Sequence, residues 1–176
     1  MIFWEKRMNN KFEYPIGSII QLTSHDYPHC GVVVDHNRSV ELIAQKDQSK
    51  RKMICKLVLI DFSIANEHPI SDGLPEYTLR RLPTTSWNTS EIKQRVRHLK
   101  SKYHDSDYHI VYNNCQHFAW ELATGEAKSP DASKFRMIGG LVGWAMHKKD
   151  FGSASSNGSK SLEGLSCELD RFLVPV

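Results

Sequence analysis

Three apolar, β-branched runs follow one another between Ser18 and Ala44 with only short polar segments between them. No other feature constrains the fold as much. Ser18–Thr23, His29–Val34 and Ser39–Ala44 read as strands, and Pro15-Ile16-Gly17 signals a turn ahead of the first. Ser24–Pro28 is a polar loop, and Asp35-His36-Asn37-Arg38 is a tight turn, because Asp and Asn favour turn geometry. Parallel neighbours need crossovers of about a dozen residues or more. Links this short therefore predict an antiparallel meander. Gln45–Lys52 reads as a polar, basic loop, Met53–Ile64 as a fourth strand, and Glu76–Leu82 as a weaker fifth closed by Pro83.

Two helices follow. Asn88 can cap the first, with Glu91 at the capping-box position. Ile92, Val96, Leu99 and Tyr103 then form one apolar stripe at helical spacing. Lys93, Arg95, Arg97, Lys100 and Lys102 lie on the other face, which reads as solvated surface. Tyr108–Tyr112 is a short strand or extended run. Cys115 opens the second helix, with Phe118, Ala119 and Leu122 on its stripe and Gly125 as its stop. Strands followed by helices predict an α+β domain, an antiparallel sheet packed against helices.

Length and composition bound the rest. A chain of 176 residues, 40% hydrophobic and 24% charged, suits one globular domain with some tail. A net charge of +3 argues against a dedicated nucleic-acid binder. Four cysteines without a CxxC pair argue against a disulfide scaffold. Met1–Asn10 holds no apolar run of leader length, so a reducing, cytoplasmic setting is expected. The expected divisions are a loose segment over 1–13, a catalytic domain over 14–130, a short apolar helix over 131–149 and a flexible Ser/Gly-rich tail over 150–176. Met137–Met146 would span only about 15 Å as a helix, too short to cross a bilayer, so it either packs on the domain or lies in a membrane interface. Cys167–Val176 regains apolar character, which suits a docking segment or a disordered end.

The chemistry-bearing residues sit in two segments, Tyr27-Pro28-His29-Cys30-Gly31 and Asn113-Asn114-Cys115-Gln116-His117-Phe118. A cysteine at the first turn of a helix meets the positive end of the macrodipole and free amides, which favour thiolate. Thiolate is the nucleophile acyl transfer needs. The same amides can hold the oxyanion. His29 starts a strand that can pack beside the Cys115 helix and is the candidate base. Glu41, twelve residues on, returns on the next strand, where a carboxylate can hold one ring nitrogen and leave the other to Cys115. His117 reads as structural. His25, His29, Cys30 and His36 match no zinc spacing, so neither metal nor cofactor is expected.

The pair of segments resembles the lecithin:retinol acyltransferase-like family, a circularly permuted branch of the papain-like, NlpC-type cysteine enzymes. The match runs over about Tyr14–Gly125, with Gln116 where that family has Glu and Glu41 where it commonly has a second His. The resemblance implies a permuted papain-like fold, a nucleophile at Cys115, a general base at His29 and an orienting residue at Glu41. It also implies transfer or hydrolysis of acyl groups from a lipid ester through an acyl-thioester, with peripheral membrane contact. Two alternatives use the same residues: an NlpC-type amidase or peptidase, and a non-catalytic binding domain.

Overall fold

The computed structural model describes residues 14–22, 29–49, 52–61, 77–109, 111–132, 166–167 and 169–174. Among the described residues six strands form one sheet: β1 (Ile19–Leu22), β2 (His29–Val33), β3 (Arg38–Asp47), β4 (Lys52–Asp61), β5 (Tyr77–Arg81) and β6 (Ser166–Cys167). Their order is β5-β1-β2-β3-β4-β6, and every neighbouring pair is antiparallel. The meander and the α+β class are as the spacing of the apolar runs requires.

The central strands are apolar at consecutive positions because both faces of the sheet are buried. One face carries Ile19, Cys30, Val32, Val40, Leu42, Cys55 and Leu59 into the main core. The other gathers Ile20, Leu22, Val33, Ile60 and Tyr77 into a second cluster. Helices α1 (Thr89–Tyr103) and α2 (Cys115–Thr124) pack on the main-core face. α1 buries Ile92, Val96, Leu99 and Tyr103, the stripe its period predicts. Asn88 accepts from the Glu91 amide while the Glu91 carboxylate accepts from the Asn88 amide, so the capping box is complete. Gly125 closes α2 in the left-handed conformation, at φ 86°, which costs a glycine little.

Two details differ from the sequence expectation, and a third decides between the docking segment and the disordered end. Gln45–Asp47 belongs to β3 rather than a loop, because its ladder with β4 runs on to Asp47 opposite Lys52. The Tyr108 amide donates to the Met53 carbonyl of β4 at 3.0 Å, as an extended run does, but Val111 and Tyr112 form a turn. The amides of Tyr112 and Asn113 bond back to the His109 carbonyl, and the His109 ring accepts from the Val111 and Tyr112 amides, making a local turn. Within the span expected as a flexible tail, β6 pairs with β4, and a short helix α3 (Leu169–Leu173) buries Leu169, Phe172 and Leu173 in the main core. The apolar run Met137–Met146 lies outside the described residues. Among the described residues no helix is long and apolar enough to cross a membrane.

Candidate functional site

Cys115, His29 and Glu41 come from α2, β2 and β3, and the fold brings them together. Asn114 sets the first position. Its side chain accepts from the amides of Gln116 and His117, at 2.9 and 3.1 Å, which fixes the start of α2 at Cys115. The first amides of a helix have no intrahelical acceptor, and the Cys115 N–H is one of them. Asn113 pins the preceding loop by donating to the Asp107 carbonyl at 2.7 Å and to the Ser106 hydroxyl at 3.0 Å. Gln116 is wholly buried. It donates to Asp131 at 2.7 Å and accepts from Ser129 and from the Asp131 amide, tying residues 129–131 to the same helix end. Arg80 from β5 pairs with Asp131 at 2.7 Å.

His29 begins β2, and its side chain is 15% exposed. Its Nε2 lies 2.7 Å from Glu41 Oε2. With Nε2 so held, Nδ1 is the ring atom left for the Cys115 thiol, to which the ring also hydrogen-bonds. Burial alone pulls the His29 ring down. The charge and hydrogen bond of Cys115, then those of Glu41, outweigh it and raise the ring to about 10. Cys115 and Glu41 thus both favour the charged ring.

Glu41 is fully buried on β3, an acidic residue in an apolar strand. Burial pushes its carboxyl up, but the hydrogen bond and charge of His29, followed by the Ser39 and Tyr77 hydroxyls, hold it below the usual carboxylate range. Both hydroxyls donate to Oε1 at 2.8 Å. The carboxylate reaches His29 by lying across Gly31, its register partner on β2. A Cβ at Gly31 would stand 2.7 Å from Glu41 Cγ and 3.0 Å from Oε1, closer than packing allows. The glycine therefore makes room for the carboxylate.

Sequence reasoning missed Tyr77, Ser39 and Gly31. Alternation along β3 puts Ser39 on the Glu41 face, which is readable. Tyr77 comes from a strand whose pairing the sequence does not disclose. His117 is half-buried, and its Nδ1 lies 3.1 Å from the Asn114 side-chain oxygen. Burial lowers its affinity for a proton. Cys30 and Cys55 are buried thiols, each pushed upward first by burial. Among the described residues no group of three or more His, Cys, Asp or Glu could hold a metal ion.

The chain matches the family model described as "PPPDE putative peptidase domain" over residues 22–129, a span holding all three site residues. It is also similar to a DeSI-like protein of Arabidopsis thaliana, 34% identical over 68 residues. That match covers 33% of this chain and only 30% of the relative's length. The family match overturns the lecithin:retinol acyltransferase-like resemblance, and with it the lipid acyltransferase or phospholipase activity and the lipid-ester substrate. The reason for the misreading is chemical. A cysteine at a helix start beside a histidine strand forms the same acyl-thioester from an ester or an amide, so those residues do not encode the leaving group. By a match to more than half its length, the chain belongs to the PPPDE peptidase domain family.

Proposed function

We propose that the chain is a thiol peptidase in which Cys115 is the nucleophile, His29 the acid and base, and Glu41 the residue that orients His29. The single observation that supports this best is the His29 ring, bonded to Glu41 through Nε2 and hydrogen-bonded to Cys115 at the start of α2. The Cys115 sulfur attacks the carbonyl carbon of a peptide amide, and the carbonyl π electrons move to oxygen. The Cys115 amide, at the first turn of α2, donates to that oxyanion. His29 gives its Nδ1 proton to the departing nitrogen as the C–N bond breaks, leaving an acyl-thioester and a free amine. Water then attacks the thioester and His29 takes its proton. The C–S bond breaks, the acid leaves, and the thiolate and imidazolium return.

The order of parts, with the histidine strand ahead of the cysteine helix, supports a permuted papain-like arrangement. On this reading residues 14–130 form the catalytic unit and a protein or peptide is the substrate. The test is release of an amine fluorophore from peptide amides, beside release of fatty acid from phospholipid vesicles. Amide cleavage that disappears in Cys115→Ala, with no lipid cleavage above that variant, is expected. Amide cleavage equal in wild type and Cys115→Ala would contradict the proposal.

A further inference from the structure

We infer that Tyr77 is a positioning residue of this site: its hydroxyl, with that of Ser39, fixes the Glu41 carboxylate so that it holds His29 over Cys115. The inference rests on the reading of Cys115 and His29 given above.

Three donors meet one buried carboxylate. Oε2 takes His29, and Oε1 takes Ser39 and Tyr77. Glu41 and Ser39 are wholly buried and Tyr77 is 4% exposed, so water does not substitute for a missing donor at little cost. Tyr77 starts β5, two strands beyond β2 in the sheet order, yet its hydroxyl reaches a side chain rooted on β3. Glu41 leans across Gly31 to meet it. Burial and the Glu41 charge both push the Tyr77 phenol well up, so it stays protonated and donates. Among the described residues the titratable groups hydrogen-bonded to Glu41 are His29 from β2 and Tyr77 from β5.

A donor to the charged form lowers a carboxyl pKa, and losing it raises that pKa. Once Glu41 is neutral it no longer holds the His29 ring by charge, and Cys115 loses its oriented cation. Tyr77→Phe removes only the hydroxyl and keeps the ring among Ile20, Leu22, Val33 and Ile60.

The test uses the full chain with 13C-labelled glutamate carboxyls. The Glu41 titration is followed by NMR, and Cys115 alkylation by iodoacetamide is followed by intact mass from pH 4 to 9. In Tyr77→Phe the Glu41 midpoint is expected to rise by about one pH unit, and alkylation at pH 5 to fall roughly tenfold. Ser39→Ala moves both in the same direction and carries the test should Tyr77→Phe not fold. A Glu41 titration in both variants superimposable on wild type overturns the inference. If Glu41 shifts but wild type shows no preference for Cys115, the peptidase reading falls while the hold of Tyr77 on Glu41 stands.

Discussion

Glu41 and His29 stabilise the fold over opposite edges of the pH range. Glu41 is held below its ordinary value, so its contribution is present above that value and is lost as pH falls through the folded one. His29 is raised to about 10, so its contribution is complete below the ordinary histidine value of about 6.5 and is lost as pH rises from there through 10. Glu41→Gln removes the charge and keeps the shape. It is expected to cost about 3 kcal/mol at pH 7, because it breaks a buried pair. It should also lower the His29 midpoint. Urea unfolding across pH and NMR titration of the His29 ring measure both, and an unmoved His29 midpoint would contradict the assignment. That His29, Glu41 and Cys115 come together was legible from residue type and spacing. Whether Glu41 faces solvent or His29 was not, because alternation names two faces without saying which is covered. The answer lies in Gly31, whose missing side chain matters only once the neighbour leaning over it is known.

At the scale of elements, the two helices show how caps carry information. α1 could be read to within a residue because its capping box and apolar stripe agree. α2 was legible from its apolar stripe and from Gly125 after its last turn, and the structure adds Asn114 as its cap. The Asn114 side chain holds two amides of the turn that presents Cys115. Asn114→Ala is expected to cost about 1–2 kcal/mol and to slow Cys115 alkylation, since the frayed turn no longer fixes the thiol against His29. Thermal unfolding and alkylation rate check the two effects separately. An intact alkylation rate in a destabilised protein would confine the cap to a structural role. Val111 and Tyr112 show where local propensity misleads. Tyr, Ile and Val favour strands. The His109 ring instead takes two amides as a turn does, and no pattern of apolar residues announces that contact.

At the scale of the whole molecule, the sheet is closed along the β4 side by β6, and α3 lies against α1 and β4. Phe172 is buried between two cations, with Arg38 at 4.7 Å and Lys93 at 4.5 Å from its ring centre. The Leu173 carbonyl accepts from Arg97 Nε at 3.1 Å. The basic face of α1, which reads as solvated surface, thus spends Lys93 and Arg97 on docking this segment. Five helical residues are too few to show a period, so the sequence could not separate a docked helix from a loose end. Phe172→Ala is expected to destabilise the protein by about 3–4 kcal/mol while leaving the folded protein's Cys115 alkylation rate within twofold. Denaturant melts and alkylation below the transition measure this. A melt unchanged by the substitution would place α3 outside the cooperative unit.

The central claim is that Cys115, driven by His29, attacks a peptide carbonyl. Its most direct test is intact-mass labelling of the full chain with a peptide bearing a vinyl sulfone at its reactive end, an electrophile that captures an attacking thiolate. Wild type should gain one adduct, mapped to Cys115. The adduct should be absent in Cys115→Ala and should form on the order of a hundredfold more slowly in His29→Ala. Labelling spread over Cys30, Cys55 and Cys115, at a rate indifferent to His29→Ala, would contradict the account.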